Sequence, residues 1–245
     1  MPEPERTLVI VPTYNEISSL ETIVRRIRAA VPSADILVVD DASPDGTGAL
    51  ADRLSSADPA ILVLHREGKD GLGRAYLAGF AHALAEGYAY IVEIDADGSH
   101  DPAELPRMLE LARTADLVIG SRWVDGGAVR NWPWLRQAIS RTANAYSRAM
   151  LRSRIRDITA GYRVFSADAL RSLQLAAVSS QGYCFQIELA WRLERAGRVV
   201  VEHPITFVER ENGRSKMHLG VVVEALLRVT VWGITGTPSS KTAKS

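Results

Sequence analysis

Asp95 and Asp97, in the string Glu93-Ile94-Asp95-Ala96-Asp97-Gly98-Ser99-His100, are the residues best placed to do chemistry. The apolar run Tyr90-Ile91-Val92 just before them predicts a strand that delivers both carboxylates to its C-terminal end. An Asp-x-Asp pair offers hard oxygen ligands to a divalent cation. Such a cation can bridge two phosphates and neutralise a departing diphosphate. Asp-rich turns also occur without any function. This one has a companion: Asp40-Asp41-Ala42-Ser43-Pro44-Asp45-Gly46 follows a second apolar run, Ile36-Leu37-Val38-Val39. Two acidic turns at two strand ends of one sheet suit a nucleotide-diphosphate site. No Gly-x-Gly-x-x-Gly follows the first strand, and no Gly-Lys-Ser loop occurs. Dinucleotide and ATP-type phosphate cradles are thereby disfavoured, and charge neutralisation falls to metal at Asp95 and Asp97.

The elements that must position these residues alternate. Strands are predicted at Thr7 to Val11, Ile36 to Val39, Ile61 to Leu64, Tyr90 to Ile94 and Leu117 to Ile119. Helices are predicted at Glu16 to Ala30, Gly46 to Leu54, Gly73 to Ala85 and Ala103 to Arg113. This rhythm predicts an α/β fold with a parallel, doubly wound sheet. Ligands of such sheets bind outside the carboxyl ends of the strands. Tyr14, Asp41, Asp97 and Arg122 all fall just past strand ends and are expected to converge. The rhythm weakens after Arg122, with neither a repeat nor a linker.

The 245 residues suffice for one large domain. Lys+Arg and Asp+Glu balance at 29 each, so no global charge favours nucleic acid. The one cysteine, Cys184, excludes an internal disulfide and suits a reducing compartment. Met1 to Arg6 lacks the features of a signal peptide, and no apolar run reaches the roughly 18 residues of a transmembrane helix. Residues 1–6 and 238–245 are expected to be disordered, leaving 7–237 as a single catalytic domain.

Pro12-Thr13-Tyr14-Asn15-Glu16 follows the first strand. Pro12 can stop the strand and Asn15 can cap a helix; Tyr14 can also pack on a base, with Glu16 accepting hydrogen bonds from it. In order, Val11-Pro12-Thr13-Tyr14-Asn15-Glu16, Asp40-Asp41-Ala42-Ser43-Pro44-Asp45, Asp95-Ala96-Asp97 and Gly120-Ser121-Arg122 resemble family-2 glycosyltransferases of GT-A fold. Ser99-His100-Asp101-Pro102, Gly126-Gly127, Asn131-Trp132-Pro133 and Arg210-x-x-Gly213-x-Ser215-Lys216 narrow the resemblance to the dolichyl- or polyprenyl-phosphate mannosyltransferases. It covers about Leu8 to Lys216.

The resemblance implies a Rossmann-like GT-A fold with a mostly parallel sheet and C-terminal amphipathic helices. It implies inverting transfer of mannose from GDP-mannose to a polyprenyl phosphate, with Mg²⁺ or Mn²⁺ as cofactor. Pro12, Tyr14, Glu16, Val39 and Asp41 would hold the guanosine. Asp95, Ala96 and Asp97 would face the sugar diphosphate, with Asp97 and Ser99 on the metal; the family often has Gln where this chain has Ser99. Arg210 and Lys216 would clamp the diphosphate. Arg122, Arg136 and Ser140 would bind the acceptor phosphate, Arg122 also counting with Asp95 and Asp97 as catalytic. The implied location is the cytoplasmic face of a membrane, peripherally attached.

The stretch from Arg130 to Arg156 holds seven arginines and no acid. With Trp132, Trp134, Leu135, Ile139, Tyr146 and Met150 on a helical stripe, it predicts an interfacial helix at about 133–155. A second, at about 216–234, suits the membrane surface or a membrane-anchored partner. Two other readings stand beside the leading one. The first is transfer from another nucleotide sugar, such as UDP-glucose, to polyprenyl phosphate. The second is a non-catalytic nucleotide-binding module on a membrane, which the joint presence of Asp97, Arg122, Arg136, Arg210 and Lys216 opposes.

Overall fold

The first apolar run folds as β1 (Thr7–Thr13), buried along its whole length. The computed structural model describes residues 5–178, 180, 183–209 and 219–236. After β1 come α1 (Leu20–Ala30), β2 (Asp35–Asp40), α2 (Thr47–Ala57), β3 (Ile61–His65), α3 (Leu72–Ala85) and β4 (Tyr90–Glu93). A short 3₁₀ turn, Pro102–Glu104, leads into α4 (Leu105–Ala112) and β5 (Leu117–Ser121). The second half adds β6 (Ala128–Arg130), α5 (Trp134–Leu151), β7 (Arg163–Ser166), α6 (Ala167–Ser172) and α7 (Tyr183–Arg195). It ends with β8 (Val200–Pro204), β9 (Thr206–Val208) and α8 (Leu219–Thr235).

Seven strands form one sheet in the order β3-β2-β1-β4-β7-β5-β8. Every neighbouring pair is parallel except those made by β7, which runs antiparallel to both β4 and β5. The sheet is thus mostly parallel, as the sequence implies, with β7 the antiparallel exception that the strand–helix rhythm does not announce. Four residues, Arg163-Val164-Phe165-Ser166, are too short a run to announce a strand, and two charged or polar ends hide it. β6 and β9 pair separately beside the sheet.

Strand side chains alternate between two cores, as the period of two requires. Leu8 and Ile10 face a core shared with Tyr76, Phe80, Phe165, Phe185 and Trp191. Val9 and Val11 face the opposite core, with Ile23, Ile27, Leu105 and Met108. Thus α3 and α7 cover one face of the sheet, and α1 and α4 the other.

Two expected boundaries move for local reasons. α1 begins at Leu20 rather than Glu16, because the backbone N–H groups of Asn15, Glu16 and Ile17 are donated to Ser43, Thr47 and Asp45. Glu5 and Arg6, expected in a disordered end, are engaged. The Arg6 guanidinium donates to Asp35 and to the Tyr88 hydroxyl, and the Tyr90 hydroxyl donates to Glu5. Residues 1–4 and the expected tail 238–245 lie outside the described residues. No described helix is long and apolar enough to cross a membrane.

Candidate active site

The C-terminal edge of the sheet carries the residues that the sequence singles out. From β2 through β1, β4 and β7 to β5 is four strand spacings, about 19 Å, long enough for an extended ligand. At one end the turns after β1 and β2 are sewn together. Asp40, buried, accepts hydrogen bonds from Thr13 Oγ1 (3.0 Å), Ser43 Oγ (2.6 Å) and the Ser43 N–H (3.1 Å). It is a turn-builder, and the Asp41 N–H donates to the Thr13 carbonyl at 3.1 Å. Pro12 and Val39 are register partners on adjacent strands and form the floor here.

Asp41 is the acid that faces the ligand edge, and it is not alone. Arg66, just past β3, donates to its Oδ1 at 2.5 Å. Burial raises the Asp41 carboxyl above its usual range, with Arg66 opposing the rise. Tyr14 is half-buried and covered by the Lys69 ammonium at 4.0 Å from its ring centroid. Glu16 accepts from Ser19 Oγ at 3.0 Å. Neither Arg66 nor Lys69 was a candidate from sequence. Their signal was available: Arg66 and Lys69 follow the third predicted strand at the same edge.

At the centre, Asp95 and Asp97 follow β4 directly. Asp95 accepts from the buried Tyr76 hydroxyl at 3.3 Å, and its side chain stays about a third exposed (35%). Asp97 accepts the Ser99 N–H at 3.0 Å, across Gly98 with φ +76°. Ser99 is buried, and its carbonyl accepts the Val208 N–H at 3.1 Å. What the structure gives Ser99 is therefore the N–H that fixes the Asp97 carboxylate. His100 packs against Tyr162 and Phe207, with burial pushing its ring down to about 4 and so neutral. Ala96 is buried between the two acids.

The two carboxylates fit a hard divalent cation by donor type, with the remaining ligands left to a substrate diphosphate. No group of three or more His, Cys, Asp or Glu side chains gathers to hold a metal among the described residues. A cation held by these two carboxylates would take its remaining ligands from elsewhere, such as a substrate diphosphate.

Below Asp95, Gly161 leaves an opening: a Cβ there would meet Asp95 Oδ2 at 3.8 Å and Gln186 Nε2 at 4.0 Å. Glu93 and Arg163, opposed across β4 and β7, are both fully buried. Arg163 donates to the carbonyls of Ile158, Ala160 and Gln186, each at 2.8 Å, and so ties the 158–160 loop to α7. Burial lifts the Glu93 carboxyl to about 8 despite that arginine.

At the far end the structure gives Arg122 a different occupation from the one the sequence suggested. Its Nε and Nη2 donate to the two carboxylate oxygens of Asp157, both at 2.7 Å, and Nη2 also reaches Thr159 Oγ1 at 3.0 Å. The Arg122 N–H adds a further bond to Asp157 at 2.9 Å. The fork that would have met a phosphate grips an internal carboxylate. Asp157 was missed because it sits in no predicted element. Gly127 closes the Arg122 turn so tightly that a Cβ would lie 2.7 Å from the Ser121 carbonyl oxygen and 2.8 Å from Arg122 backbone atoms. Gly127→Ala is expected to cost about 1–3 kcal/mol in urea unfolding, since backbone must yield.

Arg136, in the first turn of α5, pairs with Glu209 and stacks on Trp132, 4.4 Å from the ring centroid. Ser140 lies one turn on and is half-buried. Arg136 and Glu209 remain about a quarter exposed (22% and 27%). Trp123 and Trp132 bury indole N–H groups that have no acceptor among the described residues. Arg210 and Lys216 lie outside the described residues. Glu188 accepts from Ser180 and Arg192, which makes it a loop support.

The model of glycosyl transferase family 2 matches residues 8–174. The chain belongs to that family. It is 57% identical over 229 residues to the undecaprenyl-phosphate mannosyltransferase of Micrococcus luteus, covering 94% of each chain. It is also 57% identical over 234 residues to the polyprenol monophosphomannose synthase of Mycolicibacterium smegmatis, covering 95% of this chain and 88% of that one. Among solved structures it resembles the glucosyl-3-phosphoglycerate synthase of Mycobacterium tuberculosis in complex with Mn²⁺ and UDP-glucose. There the TM-score is 0.66 at 21% identity, over 96% of this chain and 81% of that one. A mannosyltransferase of Pyrobaculum calidifontis in complex with GDP-mannose and Mn²⁺ gives 0.61 at 18% identity, over 96% and 65%. The family-2 fold expected from sequence, GT-A-like with a mostly parallel sheet, is therefore the fold observed.

Proposed function

We propose that this family-2 enzyme transfers mannose from GDP-mannose to a polyprenyl phosphate, releasing GDP and forming a polyprenyl phosphate mannose. The observation that carries it is the Asp95–Asp97 pair on the sheet edge of a chain 57% identical, nearly end to end, to two proteins named for this chemistry. Tyr14, Glu16 and Asp41 hold the nucleoside end, above Pro12 and Val39. Asp95 and Asp97 face the sugar diphosphate, and Ser99 orients Asp97. Bound Mg²⁺ or Mn²⁺ would neutralise the departing diphosphate. Arg136 and Ser140 take the acceptor phosphate when it displaces Glu209. Arg122 acts behind them, holding the turn through Asp157. Arg210 and Lys216 are assigned to the diphosphate.

The acceptor is a phosphate monoester with a second pKa near ~6, so it is mostly a dianion at neutral pH. Its oxygen forms a bond to the anomeric carbon as the bond to GDP breaks, and no general base is needed. The protein's task is to place two anions in line and screen their repulsion. In-line attack inverts the anomeric centre, so an α-donor gives a β-linked product.

The exposed Trp134, Leu135 and Ile139 of α5 and Leu227, Val231 and Ile234 of α8 support peripheral contact with a membrane or a membrane-anchored partner. Radiolabelled GDP-mannose incubated with polyprenyl phosphate is expected to yield a β-mannosyl phosphate lipid, read from the anomeric NMR coupling. An α-linked product rejects the mechanism. Labelling from UDP-glucose in preference to GDP-mannose rejects the donor.

A further inference from the structure

The opposite edge of the sheet holds a second basic site. A cavity of about 540 Å³ opens between the C-terminal ends of α5 and α7 and the start of β8. A smaller one, about 290 Å³, adjoins it under the end of α8 and shares Arg152, Arg195 and Trp191. β8 runs parallel to β5, so its first residues lie at the N-terminal edge, away from Asp95 and Asp97. α5 spans 18 residues, roughly 27 Å, from the Trp134 end near the acceptor arginine to the cavity.

Three features set this cavity apart. Arg152, Arg154 and Arg195 are all exposed at its wall, and none has an acidic partner among the described residues. The two acids that share the wall are otherwise engaged: Glu194 accepts the Arg154 N–H, and Glu202 accepts the N–H groups of Arg156 and Asp157. The Trp191 indole N–H, on a side chain 1% exposed, has no acceptor among the described residues. Arginines near helix C-termini offset the helix dipole. That accounts for Arg152 and Arg195 singly, not for their meeting with Arg154 around one opening. At the rim of the adjoining smaller cavity stands Ile234, 77% exposed, with Val231 at 44% one turn before it. Exposed arginines without a side-chain ion pair, one of them lying over the Trp191 ring at 5.3 Å, beside an exposed apolar helix face match a phosphate carried on an acyl chain. The stretch Thr237 to Ser245 holds Lys241 and Lys244 and no acidic side chain.

We propose that this cavity binds the phosphate headgroup of an anionic phospholipid, at a site separate from the transfer site, and so pins the far end of the α5–α8 face to the membrane. The proposal rests on the peripheral membrane contact above and not on the sugar chemistry. The full chain is tested for binding to phosphatidylcholine vesicles with and without phosphatidylglycerol. Arg152→Asn suits the left-handed backbone at φ +53° and is combined with Arg195→Gln. The charge-matched control is Arg25→Gln with Arg107→Gln, both exposed on the opposite face of the sheet.

The first pair is expected to weaken binding to phosphatidylglycerol vesicles roughly tenfold or more. It should leave transfer in neutral detergent unchanged, and the control should do much less. Arg154→Gln alone should weaken binding in the same direction. Equal losses from both pairs would mean net charge only, and no loss would mean no site; either overturns the proposal. If inorganic phosphate quenches tryptophan fluorescence in the parent and not in the variant, while both bind vesicles alike, the ligand is a soluble phosphate and the lipid assignment falls. Vesicle binding needs no donor sugar, so its outcome is independent of whether mannose is transferred.

Discussion

Asp97→Asn is expected to lower the transfer rate by about 10²–10³ with the fold unchanged, the scale of losing a principal electrostatic stabiliser. The amide keeps an oxygen that can still accept the Ser99 N–H, so the turn at Gly98 survives. What it loses is the negative charge that a divalent cation needs from the protein. Among the described residues no cluster of acids and histidines stands by to replace it. Asp95→Asn should cost less, because Tyr76 and a partly exposed position share its role. The checks are turnover of GDP-mannose, Mn²⁺ affinity by titration, and circular dichroism. Full turnover of Asp97→Asn in EDTA would refute the metal assignment.

Asp157→Ala should destabilise the chain by about 3–5 kcal/mol, the usual cost of stranding one member of a buried ion pair. Asp157 is fully buried and accepts from Arg122, from Asn144 of α5 at 3.3 Å and from Thr159 at 3.2 Å. One carboxylate thus holds the turn after β5, the helix α5 and the loop before β7. Replacing both charges, Arg122→Met with Asp157→Leu, should recover much of the stability because no charge is left unpaired. If Arg122 works only through the turn it holds, the double variant should also recover part of its activity. A stable double variant with no transfer would instead restore Arg122 as a direct phosphate ligand. Urea unfolding and turnover, measured on the same samples, separate the cases.

The parallel half of the fold was legible because its strands are continuous β-branched runs separated by helices of ordinary length. Asp95, Asp97 and Asp41 were legible for the same reason, since a strand end fixes where the next residue must stand. What stayed hidden depends on partners distant in sequence. Asp157 lies 35 residues from Arg122, in a loop without periodicity. Glu209 lies 73 residues from Arg136 and has no local reason to meet it. β7 is four residues long and takes its place only because β4 and β5 leave a gap of one strand. Sequence spacing announces which groups are charged; it is silent on which charges cancel inside the fold.

That late-arriving strand has a consequence for biosynthesis. During translation β4 can pair with β1 as soon as it emerges, while its other edge waits for Arg163 to Ser166. At ~5–20 residues per second the wait lasts on the order of seconds. An open strand edge invites pairing with a neighbouring nascent chain. Glu93 stands on that edge, and in water an ordinary glutamate is ionised, which discourages such pairing. Once β7 docks, the same carboxyl is sealed from solvent, and burial lifts it to about 8 against the pull of Arg163. The residue is a gatekeeper while the ribosome is at work and a silent part of the interior afterwards.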